Sequence, residues 1–126
     1  MKLIKDVYEF NNDIIKSKQP EKPQVLNKED LLFALISFHE EIQEFIECTN
    51  KNDVCGALDG LIDLTYFIFG RIRSMGITPE QFEKCWNMVQ RANMNKRRGE
   101  KDRGTSVDAV KDIGWVAPDF TKILGE

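Results

Sequence analysis

Apolar residues recur along this chain at the three-to-four-residue spacing of helices that face a core, and they do so in four blocks. The first covers roughly residues 3–16, with Leu3, Val7, Phe10 and Ile14 in phase; Pro20 and Pro23 then impose an extended connection. The second opens at Asn27, a good N-cap followed by Glu29 and Asp30 at the positive end of the helix dipole, and runs to about residue 48. Leu31, Leu35, Phe38, Ile42 and Phe45 form its predicted inward stripe. The third starts near Asp53 and stops near Met75-Gly76, where glycine supplies a C-terminal stop. The fourth opens with Thr78-Pro79-Glu80-Gln81, a capping box with proline at the first helical position, and turns Phe82, Trp86 and Val89 inward. Beyond residue 97 the charged run 98–104 reads as a solvated loop. The tail Gly114-Trp115-Val116-Ala117-Pro118-Asp119-Phe120 is apolar enough to dock back on the body. No segment alternates convincingly as a strand. The pattern predicts one all-α domain over residues 1–126, a four-to-five-helix bundle with residues 97–126 as loop and docking tail.

Composition narrows the class. The 126 residues suit one domain, and 41% hydrophobic with 31% charged residues is globular rather than disordered composition. A formal net charge of −3 argues against a nucleic-acid backbone as the main partner, yet it admits a small anionic substrate if a metal bridges the repulsion. Cys48, Cys55 and Cys85 are far apart and odd in number. With no signal-like run at the N-terminus, they read as reduced thiols of a cytoplasmic protein. The longest apolar stretch, near residues 61–69, is too short for a membrane span and carries Asp63.

Two acids stand out in the third block. From residue 54 to 70 the only charged side chains are Asp59 and Asp63, four apart on one helical face in an otherwise apolar or small segment. A helix apolar all round is expected to be buried all round, and two buried carboxylates need cations or a proton. No lysine or arginine lies in that stretch to supply a salt bridge. The second block carries Glu40, Glu41, Glu44 and Glu47. Glu41 and Glu44 lie about 70° and about 130° from the centre of the apolar stripe, so they are the pair best able to face a neighbouring helix. Two acidic pairs on adjacent helices make an all-oxygen cluster of the kind Mg²⁺ or Mn²⁺ prefers. Taken alone, the glutamate run is ordinarily a solvated helix face. A di-iron carboxylate site requires Glu-x-x-His motifs, and the only histidine, His39, has Ile36 three residues before it. His39 reads as a surface or boundary residue. On the fourth block the inward stripe continues to Asn93 and Lys96, which fits either ordinary fraying or contact with phosphate oxygens.

In order, Glu40-Glu41-Ile42-Gln43-Glu44, Asp59-Gly60-Leu61-Ile62-Asp63-Leu64-Thr65-Tyr66, Gly70, Gly76-Ile77 and Asn93-Met94-Asn95-Lys96 resemble the MazG-like all-α nucleotide pyrophosphohydrolase superfamily. The closest likeness is to the single-domain phosphoribosyl-ATP pyrophosphohydrolase-like branch common in phages, from Val7 to Leu124 and including the Gly-Trp-Val-Ala-Pro-Asp tail. The resemblance implies Mg²⁺-dependent hydrolysis of a (deoxy)nucleoside triphosphate to monophosphate and pyrophosphate, with Mn²⁺ able to substitute. It implies metal ligation by Glu41, Glu44 and Asp63, a general base at Glu40 or Glu44, and contacts from Asn93 and Lys96 to the triphosphate. It also implies a homodimer or homotetramer, while charge and the short apolar stretch have already spoken against nucleic acid and membrane as partners. One position departs: the family's Glu-x-x-Asp calls for glutamate at 60, where this chain has Gly60, and Asp59 is the nearest acid to serve as a ligand instead. Gly60 keeps open a second reading, a non-catalytic helical protein that binds a nucleotide or a partner. A purely structural bundle with solvated acids is the third.

Overall fold

The computed structural model describes residues 1–99 and 108–125. Most of the charged run 98–104 therefore lies outside the described residues. The chain forms two compact units, Met1–Thr78 and Pro79–Glu126.

In the first unit, α1 (Lys2–Phe10) widens into one π-helical turn (Asn11–Ile15). The Asn11 side chain donates to the Val7 carbonyl there at 2.9 Å, and Lys16 ends the turn with a φ of 58°. An extended stretch follows, as the prolines require. α2 (Lys28–Asn50) and α3 (Val54–Ser74) are two long helices joined by three residues. The expected cap is in place at Asn27, whose side chain accepts from the Asp30 N–H at 2.8 Å, and Asp53, near which the third helix was expected to start, accepts from the Gly56 N–H at 2.9 Å. So short a joint forces an antiparallel hairpin. Cys48 lies beside Gly56, Phe45 beside Gly60 and Phe33 edge-on to Phe67, with Arg71 against Asp30 at 3.7 Å. Gly76, at φ +74°, ends the hairpin where a Cβ would strike the Lys22 carbonyl, and Gln24 N–H donates to the Met75 carbonyl at 2.8 Å.

Only part of the predicted stripe of α2 is covered: Phe38 and Phe45 are half-buried, with Phe45 at the contact with Gly60 of α3. Leu31, Leu35 and Ile42 are 49%, 59% and 42% exposed, while Ala34 and Ser37 are buried. Both sides of α2 are apolar, so spacing alone could not choose between them, and the structure takes the side with the smaller residues. Small residues let helix axes approach. Gly60 on α3 has the same role: a Cβ there would stand 3.3 Å from the Phe45 nitrogen and 3.4 Å from the Glu41 carbonyl oxygen. The expectation that α3 is buried all round also fails within the single chain. Leu58, Ile62 and Tyr66 are exposed, as are Val54, Leu61 and Ile68. A two-helix hairpin covers one side of each helix and leaves the other uncovered.

Buried apolar side chains gather where α1 crosses the hairpin: Ile4, Val7, Tyr8 and Phe69, with Ile77 beyond it. The Tyr8 hydroxyl donates to the Ile77 carbonyl. Arg73, buried at the end of α3, donates to Asn12 Oδ1, Ser17 Oγ and the Ser17 carbonyl, each at 2.7 Å. It thus fastens the π-helical turn and the chain beyond it to α3. Sequence reading takes an arginine in a last helical turn as a partner of the dipole and gives no sign of this.

In the second unit, α4 (Pro79–Met94) begins at its proline as expected. It is followed by an antiparallel ribbon of β1 (Arg97–Gly99) and β2 (Asp108–Val110), and by the short α5 (Thr121–Leu124). Strands of three residues are too short for alternation to register, so the ribbon was not predicted. The tail docks on α4, where the Trp115 indole N–H donates to the Ala92 carbonyl at 2.7 Å. Apart from this ribbon the fold is the expected all-α one.

Gly60→Glu should destabilise the chain by about 1–3 kcal/mol, because its side chain must enter a closed helix crossing. Gly70→Ala, on the same helix with only an ordinary 3.6 Å contact to the Asn11 side chain, should stabilise it by up to ~1 kcal/mol. Urea unfolding measures both. A Gly60→Glu variant as stable as the parent would mean that the helices do not approach this closely.

Candidate metal centre

The α2–α3 crossing brings three carboxylates together. Glu41 and Glu44, one turn apart on α2, meet Asp63 of α3, each offering an oxygen within 4.8 Å of the others. All three are half-buried. This follows from the close face just described: Ala34, Ser37, Glu41 and Glu44 run down one side of α2, and the small residues above bring the acids within reach of α3.

Glu41 carries most of the strain. Its Oε2 is buried with no hydrogen-bond partner. Burial, first, and then the charge of Asp63 hold its carboxyl above the usual carboxylate range; Glu44 and Asp59 add to the effect. The cations that follow the acidic stretch on α3 are engaged elsewhere. Arg71 pairs with Asp30 and stacks on Phe33 at 4.6 Å, and Arg73 is held by Asn12 and Ser17. A hard divalent cation fits this group: the donors are all oxygens, they converge, and one of them is buried and unpartnered.

The sequence-predicted residues divide accordingly. Glu41, Glu44 and Asp63 come together. Asp59, one turn before Asp63, is exposed and outside the three-carboxylate group among the described residues, although its charge reaches Glu41. Glu40 is exposed on α2, beside the cluster in sequence. His39 is exposed, as expected. Asn93 and Lys96 belong to the second unit; Asn93 is exposed, and the Lys96 ammonium stands 5.1 Å from the centre of the Trp115 ring. No helix among the described residues is long and apolar enough to cross a membrane.

The family model for phosphoribosyl-ATP pyrophosphohydrolase matches residues 7–93, more than two thirds of the chain, and the chain belongs to that family. The match runs from Val7 in α1 through α2 and α3 to Asn93 in α4 and takes in all three cluster acids. It ends at Asn93, so Lys96 and the tail lie beyond it. No curated protein matches the chain significantly.

Without metal, Glu41→Gln should raise the melting temperature at neutral pH, since it removes a charge that burial and three neighbouring carboxylates disfavour. The sign follows from proton linkage. With its folded pKa above the unfolded one, Glu41 penalises the fold above the folded pKa and ceases to do so below the unfolded pKa. The advantage of the variant should therefore shrink as pH falls through the range between them. Melting curves at several pH values in a chelator check this, and an advantage independent of pH would remove charge crowding as the cause.

Proposed function

We propose that this chain hydrolyses a (deoxy)nucleoside triphosphate between its α and β phosphates, releasing monophosphate and pyrophosphate, with Mg²⁺ as cofactor and Mn²⁺ able to replace it. The observation that carries this is the Glu41–Glu44–Asp63 group, with its buried unpartnered oxygen, in a member of a pyrophosphohydrolase family.

On this reading Glu41, Glu44 and Asp63 hold the cation. Bound there, it supplies the positive charge that polarises the α-phosphoryl group and lowers the pKa of a water. The rest falls to the chain. Glu40 or Glu44 takes the proton as water oxygen bonds to the α phosphorus and pyrophosphate leaves. Asn93 and Lys96 orient the phosphate chain. Asp59, one turn from Asp63, adds negative charge that holds the cation electrostatically.

The family's name points to phosphoribosyl-ATP, which carries the same triphosphate and is the natural competing substrate. Gly60, where the resemblance calls for glutamate, supports the second reading of a non-catalytic nucleotide binder. We further propose that a second copy of this chain covers the open sides of α2 and α3, where Leu31, Leu35, Leu58 and Ile62 stand exposed. Two such hairpins face to face make a four-helix core. A homodimer, or a tetramer of paired dimers, is the state expected in sedimentation.

The test is pyrophosphate release from the natural and deoxy triphosphates and from phosphoribosyl-ATP, with Mg²⁺ and with a chelator. Release from a triphosphate that requires the metal and falls about 100-fold or more in Asp63→Asn is expected. Nucleotide binding without release supports the non-catalytic reading, and release from phosphoribosyl-ATP alone overturns the substrate assignment. In parallel, Mg²⁺ at about 100 times its Kd should add about 2.7 kcal/mol of stability, near 10 °C in Tm. The same addition should leave Asp63→Asn unmoved.

A further inference from the structure

The second unit holds a pair of cations that neither the fold nor the acidic cluster explains. Lys96 and Lys111 stand just outside the β1–β2 ladder, next in sequence to its end pair Arg97–Val110. The Lys96 ammonium is 5.1 Å, and that of Lys111 4.9 Å, from the centre of the same Trp115 ring. The two charges thus lie no more than 10.0 Å apart, about one screening length at physiological salt. Asp112, the nearest acid in sequence, is bonded to Arg97. Among the described residues, neither lysine has a carboxylate partner. Trp115 is itself fixed, through its indole N–H, to the Ala92 carbonyl of α4. Cation–π attraction from one ring, about 0.5–1 kcal/mol for each exposed ammonium, offsets part of the repulsion and holds both lysines in place without neutralising them.

We propose that Lys111 and Trp115, with Lys96, form a binding site for an oligophosphate anion. A multiply charged phosphate chain bridging the two ammonium groups removes the repulsion between them, which a single small anion does less well. Lysines act here as point charges, a mode suited to phosphate. Trp115 is a positioning residue that holds both ammonium groups beside its ring. This rests on the triphosphate reading above and adds to it the residues beyond the family match that would grip the phosphates.

The chain has two tryptophans, so Trp86→Phe leaves Trp115 as the sole indole reporter. The experiment titrates that variant with inorganic pyrophosphate in a chelator, without divalent ions, and repeats the titration by calorimetry on the unaltered chain. A saturable change in emission is expected, with affinity reduced about tenfold in Lys111→Ala, retained in Lys111→Arg, and weaker for monophosphate than for pyrophosphate. No emission change together with no calorimetric binding, equal affinity in Lys111→Ala, or equal affinity for monophosphate would each overturn the proposal. Asp63→Asn should leave this isotherm unchanged, which separates the two assignments. Pyrophosphate binding in a chain that hydrolyses nothing would remove the proposed activity alone, and hydrolysis without pyrophosphate binding would remove this site alone.

Discussion

Two helix backbones approach closely where Gly60 of α3 meets Phe45 and Glu41 of α2, and most of what distinguishes this chain depends on that contact. It requires small residues on the facing sides, and Ala34, Ser37 and Gly60 supply them. It also sets the distance between the acids that follow on the same faces. Carboxylates on helices held further apart would each keep a water shell and interact weakly. Here Glu41, Glu44 and Asp63 share one half-buried space, and the crowding appears as a carboxyl on Glu41 that resists ionisation. The crossing therefore stores an electrostatic cost that a bound divalent cation would relieve. A site destabilised without its ligand, in a hairpin anchored by α1 and by Arg73, is a common trade between stability and function.

The same contact accounts for the exposed apolar surface. Because α2 spends its small-residue side on α3, the larger residues Leu31, Leu35 and Ile42 face away from the hairpin, and α3 likewise leaves Leu58 and Ile62 outward. These exposed apolar residues on both long helices are the surface that the proposed second copy would cover. On the proposed reading the acidic site and the docking surface have one structural origin, since the inner faces are small and acidic and the outer faces carry the bulk.

The helices and their caps were legible because periodicity, Asn27, Asp53, Pro79 and Gly76 are local signals that the structure leaves in force. So were the acids, since Asp59 and Asp63 are conspicuous in an apolar helix and Glu41 lies within reach of a neighbour. Which side of α2 faces inward was not legible. Its two sides are both apolar, and the choice is made by backbone proximity, a tertiary effect. Gly60 looked like a missing ligand in the sequence and is a close-packing residue in the structure. Asp59 looked equivalent to Asp63 and is exposed, one turn from the cluster. The anchoring of Arg73 and the approach of Lys96 and Lys111 to one ring were hidden because both depend on residues distant in sequence: Asn12 and Ser17 for the first, Trp115 and the return of the chain through β2 for the second.

The central claim is that Glu41, Glu44 and Asp63 form one cation site across the α2–α3 crossing. Titrating the metal-free chain with Mn²⁺, followed by electron paramagnetic resonance of the free ion, tests it most directly. Saturable binding that is lost in Asp63→Asn and in Glu44→Gln alike, while both variants stay folded by circular dichroism, is the predicted result, because each removes one wall of the same site. Mn²⁺ binding that is unchanged in both variants, or absent from the unaltered chain, would contradict the account.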